Sequence, residues 1–214
     1  MNAVRPGTGA ASRPLAVLAV AVLAFARIPS AAAGEDAQWL ARAAVAAADN
    51  GSAPFAVIDK RNARVFVFDA TGRMQASSPV LLGLARGDDS VPGIGERPMS
   101  EIRREERTTP AGRFETEPGL NTKGEDIVWI DYDAAVSMHR VRATQRSERR
   151  LQRLASPTVA DNRISYGCIN VPAAFYDAHI KPVLGTHRGV VYVLPETMPA
   201  QKRFDFLSRP EKRG

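Results

Sequence analysis

Short runs of Val, Ile and Phe between turn signals are the feature that most constrains the fold of this chain. "FAVIDK" (Phe55 to Lys60) and "RVFVFD" (Arg64 to Asp69) are separated only by "RNA", which predicts a β-hairpin. The later strand candidates are "SSPVLLG" at 77–83, "GRFET" at 112–116, "DIVWIDY" at 126–132, "AVSMH" at 135–139 and "GVVYVL" at 189–194. Many short strands with few helices predict a mainly β domain, a sandwich or barrel with a few short helices.

The remaining segments predict two helices, a long loop and a tail. The alanine-rich stretch 35–49 and "PAAFYDAHI" at 172–180 are typical of short helices, the second with Pro172 in its first turn. Residues 84–110 are polar and rich in Gly and Pro, which predicts a long loop of a kind that is often functional. The basic tail after Pro195 is expected to be loosely held.

The first 33 residues resemble an export signal. Arg5 and Arg13 precede an apolar run at 14–26, and Ala31 and Ala33 then offer a cleavage site. The run is shorter than the about 20 residues that span a bilayer, so a retained anchor is the less favoured alternative. We therefore expect an exported protein of the periplasm or cell envelope, with no stable membrane span after signal removal.

Four segments follow from these patterns. We expect residues 1–33 to form the signal peptide, 34–53 a helix and linker, 54–196 the main β domain, and 197–214 the basic tail.

The charge of the chain excludes a focused nucleic-acid interface. The net charge is +6, and residues 1–33 carry three arginines and no acids, so 6 − 3 leaves +3 for the rest. The densest basic patch, at 139–153, is typical of a solvated surface, although a contact with substrate stays open. The histidines and the cysteine lack metal-ligand spacing, so we expect no metal and no cofactor.

Cys168 is the single cysteine of the sequence. Exported proteins usually pair their cysteines, so an unpaired thiol is expected to be either buried and inert or a nucleophile. A nucleophilic thiol needs a base that favours the thiolate. His139 ends a strand-like run and is the candidate base, while His179 on a helix and His187 in a turn are the alternatives.

The residues around Cys168 suggest a binding turn. Gly167 permits a tight backbone, so the N–H groups of Gly167 and Cys168 are expected to face a developing oxyanion. Ser165 and Asn170 are candidates for contacts with the substrate or the turn, and the alternative is that they only cap the loop.

These residues resemble a known signature. "SYGCIN" (Ser165 to Asn170) is similar to the [Ser/Thr]-His-Gly-Cys-apolar-[Asn/Arg] motif of L,D-transpeptidases, the YkuD-type catalytic domain, and His139 resembles the histidine that precedes it. "TTPAGRFET" at 108–116 is similar to the T-P-x-G-x-F segment of that family, and 57–83 resemble its opening hairpin. The resemblance covers roughly Pro54 to Pro195. It implies an L,D-transpeptidase-like β-sandwich or barrel.

Two features depart from the family pattern. Tyr166 stands where the family usually has histidine, and it still offers a hydroxyl and an aromatic wall. His139 lies 29 positions before Cys168, a longer gap than usual, which implies a remodelled loop at the mouth of the site.

The resemblance implies acyl transfer on peptidoglycan stem peptides, in cell-wall cross-linking or remodelling. Cys168 would attack the third stem residue, expel D-alanine and form a thioester, with His139 moving the proton. The acceptor would be a neighbouring stem, a wall-anchored protein or a free D-amino acid.

Two alternatives stay open. If water is the acyl acceptor, the enzyme is an L,D-carboxypeptidase or amidase. If catalysis has been lost, the protein is a wall-binding module. A sortase-like enzyme is not expected because Arg188 lies in a turn, and a papain-like protease would place the cysteine before the histidine.

Overall fold

The structure is a computed structural model that describes residues 34–208. The predicted signal peptide at 1–33 and the last six residues of the predicted tail lie outside the described residues. The strands of the described part are β1 (Phe55–Asp59), β2 (Arg64–Phe68), β3 (Met74–Pro79), β4 (Leu82–Gly83), β5 (Gly112–Leu120), β6 (Asp126–Asp131), β7 (Val136–Arg140), β8 (Arg163–Ser165), β9 (Ile169–Val171) and β10 (Gly189–Leu194). Its helices are α1 (Glu35–Ala46), α2 (Arg150–Ala155), α3 (Ala173–Phe175) and α4 (Lys181–Leu184), and a π turn (Tyr176–Ile180) joins α3 to α4.

One twisted sheet organises the described residues. Its strand order is β3-β2-β1-β10-β5-β6-β7-β9, and β4 pairs separately with β8. The chain leaving β3 returns to the opposite edge, where Leu81 exchanges two backbone hydrogen bonds of 2.9 Å with Asn170 of β9. This contact nearly closes the sheet into a barrel, so the prediction of a mainly β sandwich or barrel with few short helices is confirmed.

The alternation of side chains along the strands builds two cores. Ala56 and Ile58 of β1 face one core, and Phe55 and Val57 of the same strand face the other. The first core is filled from β2, β6, β7, β9 and β10 and is covered by the helical segment 173–184. The second core is covered by α1. Because both faces of the central strands are buried, β1 and β10 read as continuous apolar runs.

Several elements differ from the sequence predictions. Strand β5 is longer than predicted, and "SSPVLLG" is divided between β3 and β4. Strands β8 and β9 were not predicted because each has only three residues. The predicted long loop is present and contains only short 3₁₀ turns. The second helical segment runs on to Leu184, because α4 follows the π turn directly and includes Pro182 in its first turn.

The prediction of a loosely held tail is wrong for residues 197–208. Phe204 is buried in the second core against Tyr192. The carboxylate of Asp88 accepts the backbone N–H groups of Glu196, Thr197 and Met198 at 2.7–3.1 Å. An apolar anchor and a buried carboxylate therefore hold the first part of the tail.

Asp88 also pairs with a fully buried ammonium. Lys60 Nζ donates to Asp88 Oδ1 at 2.8 Å and to the carbonyl of Thr109 at 2.9 Å. Burial lowers the pKa of Lys60, and the charge of Asp88 only partly offsets this. This cluster joins the β1–β2 turn, the long loop and the tail.

No helix among residues 34–208 has the length and apolar character needed to cross a bilayer.

Candidate active site

The pairing of β7 with β9 brings the predicted nucleophile and base together. The two strands are parallel, with Met138 opposite Ile169 and His139 opposite Asn170. Cys168 directly precedes β9, so it lies beside Ser137 and His139. Because side chains alternate along a strand, Ser137 and His139 point to the same side of β7. Residues that are 29 positions apart in sequence thus lie at neighbouring places across the β7–β9 pair.

The thiol of Cys168 lies among polar groups. Its Sγ is 3.6 Å from Ser137 Oγ and 3.7 Å from the carbonyl oxygen of Ala135. Burial raises the pKa of the Cys168 thiol, but the nearby imidazole of His139, together with Ser137, lowers it more. The net result is a pKa below the ordinary value for cysteine, which favours the nucleophilic thiolate.

The tautomer of His139 suits a base. Its Nδ1 lies 2.7 Å from the carbonyl oxygen of Arg140, and a carbonyl oxygen can only accept a hydrogen bond. In the neutral ring Nδ1 therefore carries the proton, and Nε2 is free to accept one. His179 stacks on Phe175, and His187 bonds Thr186 in an exposed turn, so His139 stays the candidate base for Cys168.

Gly167 shapes the turn before Cys168. Its φ is +139°, and a Cβ at this position would lie 2.9 Å from the carbonyl oxygen of Thr108. Both the conformation and the space require glycine. Thr109 Oγ1 donates to the carbonyl of Gly167 at 2.7 Å and accepts the N–H of Gly83 at 2.9 Å. The "TTP" segment thus supports the turn at Gly167 and Cys168.

The oxyanion prediction needs one correction. The N–H of Gly167 donates to Ser165 Oγ at 3.1 Å, so it does not face a reacting carbonyl. Ser165 Oγ in turn donates to the carbonyl of Cys168 at 2.6 Å. Ser165 therefore braces the turn. The N–H of Cys168, which donates to no group within residues 34–208, is the donor left for an oxyanion.

Tyr166 forms a wall of the site. The guanidinium carbon of Arg107 lies 3.8 Å from the centroid of the Tyr166 ring, a cation–π contact. Arg107 is held in turn by two hydrogen bonds to the carbonyl of Ile102, at 3.2 and 3.0 Å. The long loop thus fixes the aromatic ring that stands in place of the histidine usual in the resembled family.

Asn170 is buried and connects Cys168 to the arginine-rich segment. Its Nδ2 donates to the carbonyl of Cys168 at 3.2 Å, and its Oδ1 accepts from Arg150 Nη1 at 2.7 Å. The expectation that 139–153 is a solvated surface is therefore incomplete, because Arg150 is largely buried beside the site.

A cavity of about 410 Å³ opens onto these groups. Cys168 is half-buried at its floor, so the sulfur is accessible. The lining residues fall into three groups, which are Met99 of the long loop, the predicted site residues His139, Ser165, Tyr166, Cys168 and Asn170, and five residues of the arginine-rich segment, Arg142, Thr144, Gln145, Glu148 and Arg150. Residues 34–208 hold no group of three or more His, Cys, Asp or Glu placed to bind a metal ion.

Sequence reasoning missed Ser137, Thr109 and Arg150. Ser137 had a usable signal, because it lies two residues before His139 on a predicted strand and so shares its face. Thr109 lies in the segment that resembles the family, but its bridging role depends on contacts across the fold. Arg150 had no signal that separates it from its arginine neighbours.

Comparison with known proteins gives matches only among solved structures. No family model and no curated protein matches this chain. The helical cell shape determining protein Pgp2 from Campylobacter jejuni matches with 14% identity and a TM-score of 0.43, over 68% of this chain and 49% of that one. An L,D-transpeptidase from Mycobacterium tuberculosis H37Rv matches with 16% identity and a TM-score of 0.39, over 66% and 57%. The chain thus spans about half the length of these two structures.

A single catalytic domain also matches. The catalytic domain of the Enterococcus faecium L,D-transpeptidase has 18% identity and a TM-score of 0.36, over 67% of this chain and 98% of that domain. Most of the matching structures are L,D-transpeptidases, the family whose motifs the sequence resembles.

Proposed function

We propose that this protein is an exported cysteine acyltransferase that acts on peptidoglycan stem peptides by L,D-transpeptidation. The observation that carries the proposal is the placement of an accessible, acidified Cys168 thiol beside the imidazole of His139. The substrate class rests on the resemblance of "SYGCIN" and "TTPAGRFET" to the L,D-transpeptidase motifs.

The first half of the reaction forms a thioester. Nε2 of His139 takes the proton of Cys168, and the sulfur attacks the carbonyl of the third stem residue. The N–H of Cys168 stabilises the oxyanion of the tetrahedral intermediate. The C–N bond to the terminal D-alanine then breaks, and the imidazolium returns the proton to the leaving amine.

The second half releases the acyl group to an amine. The amine nitrogen attacks the thioester carbonyl, the C–S bond breaks, and the proton lost by the amine passes through His139 to the sulfur. Water in place of the amine gives the carboxypeptidase or amidase. An assay of products on purified stem peptides separates the two acceptors, because a new amide and a new carboxylate differ in mass.

Intact-protein mass after exposure to a carbapenem tests the nucleophile. We expect one covalent adduct on the protein and none on Cys168→Ser. His139→Ala should acylate far more slowly, by about a hundredfold or more, because general base catalysis typically contributes 10²–10⁴-fold. A protein that forms no adduct at any pH would contradict the proposed function. A His139→Ala variant as fast as the parent would remove that histidine from the mechanism.

A further inference from the structure

The arginine-rich segment is folded back on itself beside the site. Arg153 Nε donates to the carbonyl of Glu148 at 2.9 Å, and its Nη1 donates to the carbonyl of Asp161 at 3.0 Å. Arg149 has a φ of +51°, a left-handed conformation that is unusual for a residue with a Cβ. A left-handed conformation at such a residue persists only where the surrounding structure fixes it, and residues of this kind often lie near functional sites.

This fold places the guanidinium of Arg150 between two oxygen acceptors. Its Nε donates to Glu148 Oε2 at 2.6 Å, and its Nη1 donates to Asn170 Oδ1 at 2.7 Å. Only 15% of the Arg150 side chain is exposed, and Asn170 is 1% exposed. The contact is therefore a largely buried, charge-assisted hydrogen bond, the stronger kind in proteins.

The chemistry of the guanidinium decides how the Asn170 amide is turned. An arginine side chain only donates hydrogen bonds, so it must face the amide oxygen. The amide nitrogen then points the other way, where it donates to the carbonyl of Cys168. Rotation of the amide by a half turn would set two donors against each other at Arg150 and two acceptors against each other at Cys168.

We propose that Arg150 is a positioning residue for the nucleophile, acting through Asn170. With Ser165 Oγ, Asn170 Nδ2 gives the carbonyl of Cys168 two donors, and these fix the peptide that follows the sulfur-bearing residue. The sulfur is thereby held against Ser137 and His139. This inference rests on the proposed role of Cys168 as a nucleophile, and it assigns a function to the arginine-rich segment.

The test follows the alkylation of Cys168 by iodoacetamide across pH, which needs no peptidoglycan chemistry. We expect Arg150→Met and Asn170→Ala to lower the alkylation rate at neutral pH by about tenfold and to move the midpoint of the pH profile upward, because the thiol loses its contacts. Arg146→Gln is the matched control. It removes an exposed arginine of the same segment and should leave the profile unchanged.

A double-mutant cycle separates positioning from charge. Arg150 also contributes a positive charge to a cavity that His139, Arg142 and Glu148 share with the thiol. A direct effect of that charge would persist in the Asn170→Ala background, whereas positioning through Asn170 would vanish there. The expected result is that Arg150→Met/Asn170→Ala is no slower than Asn170→Ala alone. Additive effects, or an Arg150→Met variant within twofold of the parent, would overturn the inference.

Two further measurements keep the result interpretable. Should Arg150→Met fail to fold, as judged by its thermal transition, Arg150→Lys and Arg150→Gln replace it in the cycle. Both keep a donor, and the inference then requires each to lie between the parent and Asn170→Ala. A parent that is alkylated at neutral pH but forms no carbapenem adduct would defeat the proposed function and leave this cycle intact as a test of Arg150.

Discussion

Thr109→Val should destabilise the turn at Gly167 and Cys168. The side chain of Thr109 is fully buried, and its hydroxyl bridges the N–H of Gly83 and the carbonyl of Gly167. Valine keeps the shape but leaves both groups without a partner in a place that water does not reach. An unsatisfied buried group costs about 1–3 kcal/mol, so two of them cost roughly 2–4 kcal/mol when some relaxation is allowed.

That loss converts into measurable changes in stability and reactivity. At about 2–4 °C per kcal/mol for a protein of this size, the melting temperature should fall by roughly 4–16 °C. The carbapenem acylation rate should fall by about tenfold to a hundredfold, since small misplacements of reacting groups carry costs of that order. Thr158→Val, at an exposed threonine, is the control. A Thr109→Val protein that melts within about 1 °C of the parent and acylates at the same rate would refute the bridging argument.

Three other predictions concern the turn, the thiol and the buried ion pair. Gly167→Ala should lower the free energy of unfolding by about 1–3 kcal/mol or more and abolish acylation. Gly124 is the control, because it also has a positive φ but a Cβ added there would meet no atom within 4 Å, so Gly124→Ala should lose less stability and keep its activity. Ser137→Ala should raise the pKa of Cys168, seen as a higher midpoint for thiol alkylation, and an unchanged midpoint would contradict that role. Asp88→Asn should lower the free energy of unfolding by about 3–5 kcal/mol at neutral pH because it removes the nearest carboxylate of a buried ammonium and leaves only Glu196 at 3.9 Å.

The acid dependence of the Asp88 contribution has a definite sign. Burial raises the pKa of the Asp88 carboxyl, but hydrogen bonds from Lys60, Thr197 and the backbone lower it more, so it lies well below the usual value. The stability that this carboxylate supplies is complete above the unfolded pKa of about 4 and is lost as pH falls toward the folded value. Urea unfolding of the parent and of Asp88→Asn between about pH 2 and pH 7 measures this loss, and it should be seen mainly in the parent.

The strands of the central sheet could be predicted because burial on one or two faces leaves a pattern in the sequence. Phe55 to Asp59 and Gly189 to Leu194 are apolar runs, and both form strands where expected. Strands β8 and β9 have three residues each, too few for a pattern, and they exist because β4 and β7 offer them partners. The anchoring of the tail by Phe204 likewise depends on a distant pocket.

The candidate site divides in the same way. The pairing of Cys168 with His139 could be inferred because a strand end aims a side chain and the motif resembles a known one. The role of Gly167 was predicted in part, since the sequence shows that glycine allows a tight turn but not which acceptor its N–H reaches. Thr109 and Arg150 act through partners 58 and 20 positions away, and such pairings follow only from the folded chain.

The hydrogen bonds from the backbone at 196–198 to Asp88 limit how far the protein can be shortened at its C-terminal end. A form that stops at the end of β10 would strip three N–H donors from a buried carboxylate and remove Glu196, the partner of Arg163. The charges of Asp88 and Arg163 would then lie unbalanced near Lys60. The ammonium of Lys60 also donates to the carbonyl of Thr109, in the segment that supports the turn at Cys168. A minimal active fragment therefore has to retain residues well past the last strand, at least through Phe204.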